Sequence, residues 1–313
     1  MLIVFLKVLA IFCMVVIGYV ANKKDVLPIE SNKYLVNLLL EITTPCMIFG
    51  SMASNSLSSE TLKTTIQVAL GTVVFFLVSW GFAVIVVKLL KYRPRMDQGV
   101  LIVIMTGVNT GFMGFPITKA IFGNEYLFYM VIENCLLTFY LYFLAVIQMN
   151  YGYKKKSSIK EIFRPLCNMC MLAAVVGAVV LIGDIRLPSI VMDFFNTIGD
   201  ATVPISMIVV GVQLGNSDLK GILSNGKLII ASVVNVAVIP ALTLLAVNWL
   251  PLTNKAKLIL VFAAAFPCAV ATVAVAAKEK KNADLMAEGV AFTTLLSMAT
   301  LPVVAVVLMG LYL

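Results

Sequence analysis

Among the acids inside apolar stretches of this chain are Glu41, Glu133 and Asp200. Insertion scales put an Asp at the centre of a membrane helix at roughly +2.5–3.5 kcal/mol, so such residues are generally paired or functional. Glu41 and Asp200 each precede a proline by four residues, in Glu41-Ile-Thr43-Thr-Pro45 and Asp200-Ala-Thr202-Val-Pro204. Glu133 is followed at once by Asn134. The chemistry open to this set is coupling to a proton or a sodium ion, with Glu133 the first candidate and Asn134, Glu41 and Asp200 the others. A structural hydrogen bond to unwound backbone is the alternative role. The chain has no histidine. That excludes His-based proton relays, His-dependent catalytic triads and His metal sites, so a carried proton needs a carboxylate.

A second constellation is built to break helices. Thr106-Gly107-Val-Asn109-Thr110-Gly111-Phe-Met113-Gly114-Phe-Pro116 places three glycines and a proline within eleven residues. Glycine is entropically costly in a helix and proline removes a hydrogen bond. Ala265-Phe-Pro267-Cys-Ala-Val-Ala-Thr272 interrupts a later stretch in the same way. Unwound backbone in a bilayer is tolerated only where protein or a watery cavity covers it. Two breaks facing one another would present half-helix N-termini at the membrane midplane, which suits an anion. Asn109, Thr110, Gly111, Met113, Pro116, Pro267 and Thr272 are the candidate substrate-binding residues, with Phe112, Met113 and Phe115 sorting the attached group. Gly107-x-x-x-Gly111 also reads as a plain helix-packing motif, and the two prolines as simple kinks. The glycine spacing fails the dinucleotide fingerprint, and no strand precedes it.

The elements that position these residues follow from composition. The chain has 313 residues, 61% of them hydrophobic and 12% charged, with a mean hydropathy of +1.04. Average soluble chains are roughly 45–50% apolar and about 25% charged. A compact soluble domain cannot hide this much apolar surface, so the solvent is lipid. Ten stretches of a length to span lie at 2–21, 33–53, 64–88, 98–121, 125–149, 165–183, 188–215, 226–250, 256–277 and 284–310. Alternate connections carry 17 of the 23 Lys and Arg, the opposite set carries 5, and Lys7 lies within the first stretch, where it snorkels. The basic connections are therefore cytoplasmic and both termini face outward from a plasma or inner membrane. The net charge of +8 serves orientation, and nucleic acid is not an expected partner. The N-terminus lacks the basic n-region and cleavage site of a signal peptide, and reads as the first permanent span. Cys167-Asn-Met-Cys170 has C-x-x-C spacing without the context of a redox or metal site, and reads as packing.

The chain also repeats itself. The acid-x-Thr-x-Pro motifs are offset by 159 positions, and Asn124-Glu-Tyr-Leu127 and Asn282-Ala-Asp-Leu285 by 158. The expected fold is an all-α membrane protein, a 5+5 inverted repeat of residues 1–149 and 165–313 joined by a cytoplasmic linker, 150–164. Five spans per half is an odd number, so the halves insert upside down relative to each other. Such repeats typify secondary transporters, although an old duplication without transport leaves the same trace.

With Asn109-Thr-Gly-Phe-Met-Gly-Phe-Pro116, Pro204-Ile-Ser-Met-Ile-Val-Val-Gly211 and Pro267 in order, the sequence resembles the auxin efflux carrier family in its short bacterial form. The resemblance implies a fold like that of bile-acid and sodium–proton transporters. Spans 1, 2, 6 and 7 would form a dimerising scaffold, and spans 3–5 with 8–10 a mobile unit. Substrate would sit beside the crossover of spans 4 and 9, lined by Asn109 and Pro267. The paired Asn of some plant crossovers has no counterpart at Pro267, and Glu133-Asn134 stands where plant members tend to have Gln. The functional expectation is an elevator-type carrier of small organic anions such as malate, malonate or auxin-like acids. It acts as a homodimer, without enzymatic activity, metal or organic cofactor. An ion channel would need a polar stripe that is not seen. An intramembrane aspartyl protease is suggested only by Gly183-Asp184 and Gly199-Asp200, where Leu181 and Thr197 replace the first motif glycine.

Overall fold

The computed structural model describes residues 2–149, 168–217 and 225–313. Segment 150–164, Cys167 and Lys220 of the sequence reading lie outside them. Among the described residues the fold is all helical, with one isolated antiparallel bridge between Val108 and Cys268. The helices are α1 (Leu2–Lys23), α2 (Ser31–Leu38), α3 (Thr44–Ala53), α4 (Ser59–Leu89), α5 (Gln98–Thr106), α6 (Phe115–Phe122), α7 (Asn124–Phe139) and α8 (Ala145–Met149). They continue with α9 (Met169–Ile182), α10 (Ser189–Asp200), α11 (Thr202–Gly215), α12 (Gly226–Val233), α13 (Ile239–Asn248), α14 (Asn254–Ala264), α15 (Ala271–Lys278) and α16 (Ala283–Tyr312). Six helical runs are long and apolar enough to cross a membrane: Leu6–Lys23, Ser31–Ala53, Ser59–Leu89, Ser189–Gly215, Gly226–Asn248 and Ala283–Tyr312. The protein is a multi-pass membrane protein.

Helix α4 starts earlier than the hydropathy limit at 64 because Ser58 caps it, its hydroxyl accepting from Thr61 N at 3.0 Å. Three runs join their pieces through a turn of π-helix that ends two residues before a proline: Leu39–Thr43 before Pro45, Thr110–Gly114 before Pro116, and Val234–Val238 before Pro240. Proline has no N–H, and its ring collides with the carbonyl four residues back. In each case the preceding residue donates instead to the carbonyl five back: Thr44 to Leu39, Phe115 to Thr110, Ile239 to Val234. The wider turn takes up the ring without ending the run. A fourth π turn, Tyr140–Leu144, has no proline after it.

Lipid supplies no hydrophobic drive between helices, so close packing must hold them together. The α1–α11 crossing shows this best. A Cβ on Gly18 would meet Ile208 O at 2.2 Å, and one on Gly211 would meet Val15 O at 2.1 Å. Against α3 pack α9 and α10. The remaining helices gather around α5 and α14. Val100 to Met105 of α5 are each 0% exposed, and a helix apolar on all sides belongs in the interior. By contrast α4 turns Leu70, Val74 and Val78 outward. Lys255 at the start of α14 pairs with Glu125 of α7 at 2.7 Å and Glu60 of α4 at 3.0 Å, tying three helix starts together.

Candidate functional site

Both sequence-marked breaks are present, and they meet. Helix α5 stops at Thr106, residues 107–109 run as non-helical backbone, and helix resumes at Thr110. Likewise α14 stops at Ala264, and α15 begins at Ala271. Val108 and Cys268 form the bridge between the two unwound segments, and Ala269 N donates to Gly107 O at 2.6 Å. Backbone groups freed by each break are thus satisfied in part by the other, as burial in an apolar interior requires.

Side chains complete the junction. Asn109 caps the resumed helix, its Oδ1 accepting from Phe112 N at 3.2 Å, while its Nδ2 is buried without a hydrogen-bond partner. Asn134 Nδ2 donates to Thr110 Oγ1 at 3.0 Å, so α7 holds the first residue of the resumed helix. On the other side Thr293 of α16 accepts from Cys268 N at 3.1 Å. Asn134 and Thr293 are 159 positions apart, so the repeat offset places a polar side chain on each break. Thr293 carries no signal of its own in the sequence; only its distance of 159 from Asn134 points to it.

A cavity of about 270 Å³ opens beside this junction. Asn109, Gly111 and Phe112 line it from one resumed helix, and Ala269 and Ala271 from the start of the other. Two half-helix N-termini therefore border one space, where partial positive charge favours an anion. Asn134 and Glu41 add polar groups, and Phe115 is also in the wall. The rim reaches Asn168 and Met171 at the start of α9.

Not every candidate enters this cavity. Thr110 holds Asn134 from behind the wall, and Met113 and Pro116 are buried beneath it. Pro267 belongs to the second break and is absent from the lining, as is Thr272, whose hydroxyl donates to Ala269 O at 2.6 Å. Glu133 is 1% exposed, and neither carboxyl oxygen has a hydrogen-bond partner in standard geometry. Thr110 stands beside it; its hydroxyl accepts from Asn134 and keeps its own proton free to turn towards the acid. Asp200 lies away from the cavity, paired with Lys119 of α6 at 2.6 Å. Lys119 was counted in the sequence only as an orienting charge. Cys135 and Cys170 line the cavity as free thiols, and Cys170 Sγ points to Leu40 O at 3.5 Å. No group of His, Cys, Asp and Glu among the described residues is arranged to hold a metal ion.

Two interrupted helices crossing inside a membrane fold set the frame for comparison with known proteins. A family described as membrane transport protein matches residues 3–158 and 152–305. The chain belongs to that family. It is the auxin efflux carrier family that the sequence motifs resemble. Similar members include an uncharacterized transporter of Methanocaldococcus jannaschii, 26% identical over 303 residues, covering 93% of this chain and 94% of the relative. A second, from Methanothermobacter thermautotrophicus, is 24% identical over 307 residues, covering 96% and 97%. As a member of this family the chain is a membrane transporter.

Proposed function

We propose that the protein is a carrier of small organic anions, working by alternating access of the cavity beside the Val108–Cys268 junction. The observation that carries this reading is that the starts of two interrupted helices border one cavity. A carboxylate placed there meets N–H groups that have no partner within their own helix. Asn109 Nδ2, buried and unpaired, is the donor that such a ligand would satisfy. Phe112 and Phe115 supply apolar wall for the rest of the molecule.

The ten-span 5+5 inverted repeat is part of this reading. A second cavity, of about 370 Å³, lies on the other side of α15. Val131 and Cys135 line the first cavity, and Val290 and Thr294, each 159 positions later, line the second. Helix α1 packs on α11, and α3 on α9 and α10; in the elevator reading these helices are the scaffold and the rest moves as a unit. The homodimer belongs to the same reading, with the scaffold at the interface.

Coupling to a proton or sodium ion goes with this site. Glu41 is in the cavity wall, and Glu133 lies one residue from Asn134. A bound anion and two ionised acids so close would repel one another, so neutralisation of an acid accompanies loading. The test is saturable counterflow of labelled carboxylates in proteoliposomes, at two pH values, with and without sodium. A carrier shows counterflow, and a channel does not. Failure across a broad carboxylate panel would remove the anion assignment. Asn109→Ala is expected to weaken binding by about tenfold, the loss of one hydrogen bond to a charged ligand.

A further inference from the structure

Among the described residues, two hydrogen bonds between the α1–α3 and α9–α11 group and the remaining helices lie together at one end of the molecule. Lys119 Nζ of α6 meets Asp200 Oδ1 at the end of α10 at 2.6 Å. Ser51 Oγ of α3 donates to Asn124 O at the start of α7 at 3.0 Å. Only Gly123 separates α6 from α7, so the two contacts are neighbours. The cavity opens at the other end, towards Asn168 and Met171. Helix α6 spans the distance between: Phe115 is in the cavity wall, and Lys119 one turn later holds Asp200.

The repeat offset carries this pair onto another. Adding 159 to Lys119 gives Lys278, the last residue of α15, and subtracting 159 from Asp200 gives Glu41. The correspondence keeps both charges. It keeps the surroundings too: each acid stands two residues before a threonine whose hydroxyl is buried without a partner, Thr43 or Thr202, and four before a proline. Each lysine is on the half-helix that resumes after a break. Glu41 and Lys278 form no ion pair with each other in this structure, and Glu41 lines the open cavity. We propose that Lys119–Asp200 and Lys278–Glu41 are the two gates of the carrier, each closing one side of the membrane and made in turn. Lys119–Asp200 is closed here and seals the side opposite the open cavity. When that pair parts, the inverted half reaches the geometry its counterpart has now, and Lys278 closes on Glu41.

This inference rests on the inverted-repeat, alternating-access part of the proposed function, and not on the substrate. Its test therefore needs no ligand, and counterflow judges the anion assignment separately. In protein with its native cysteines replaced by serine, Glu41→Cys is combined with Lys278→Cys and exposed to a short bifunctional maleimide. Cross-linking yield is compared with and without Asp200→Asn, which opens the other gate. The expected yield rises on the order of fivefold, the population ratio set by an exposed ion pair near the top of its range. Lys119→Met is expected to act in the same way, and joining Lys119→Asp with Asp200→Lys to return the yield to its starting level. An unchanged yield in both single variants, whether high or nil, overturns the proposal. So does a double reversal that leaves the yield raised. Thermal melting of each variant verifies that it is folded before cross-linking is read.

Discussion

Glu133 is the residue whose surroundings and chemistry are most at odds. It is buried on α7 with both carboxyl oxygens unpaired, yet its neighbour Asn134 reaches the cavity wall. If Glu133 carries the coupled proton, wild-type transport changes between two pH values and Glu133→Gln transports with a flat pH profile. An unaltered profile in Glu133→Gln would confine the residue to structure and shift coupling to Glu41. Glu133, Asn134 and Asn109 stand out already in the sequence, because polar groups in hydrocarbon are costly wherever they stand. The partner of Asp200 was not. Lys119 is 81 residues away, and one basic side chain at a helix end looks the same whether it faces headgroups or an acid.

At the scale of elements, the crossing of α1 and α11 depends on what Gly18 and Gly211 lack. Gly211→Ala would push a methyl group into Val15 O, which is backbone and cannot turn aside. The helices would have to separate, at a cost of about 1–3 kcal/mol for overpacking. The expected result is a lowered midpoint in thermal unfolding of the purified protein, with ligand affinity retained, since neither helix lines the cavity beside the junction. The breaks themselves were readable: three glycines and a proline in the fourth apolar stretch, and Pro267 in the ninth, interrupt helices where the structure does. The π turns were not. Pro45 and Pro240 mark kinks in sequence, but whether a helix stops or widens before a proline depends on neighbours packed around it. The short turn at Gly123 is a related case. Its φ of +88° with ψ near 180° is a conformation open to glycine and hardly to other residues. That single residue reverses the chain between α6 and α7.

For the whole molecule, hydropathy marks a multi-pass membrane protein, and family membership makes it a transporter. The arrangement of the two helix groups rests on contacts between segments more than a hundred residues apart in sequence, such as α1 with α11 and α9 with α3. Periodicity within one helix carries no record of its partner. In the inverted-repeat reading the offset is the exception, because it would relate distant positions directly, as with Asn134 and Thr293. The Val108–Cys268 bridge has a further consequence for how the molecule holds together in time. The Ala269 amide lies outside any helix, where protons normally exchange with solvent quickly. Here it donates at 2.6 Å to Gly107 O, and Ala269, in the cavity wall, is only 4% exposed. In hydrogen–deuterium exchange it should rank among the slowest amides of the protein, outlasting those in the end turns of α9 and α10. Under the proposed alternating access, such protection would mean that the two unwound segments stay joined while the cavity changes sides, so that cargo would ride on a joint made by both.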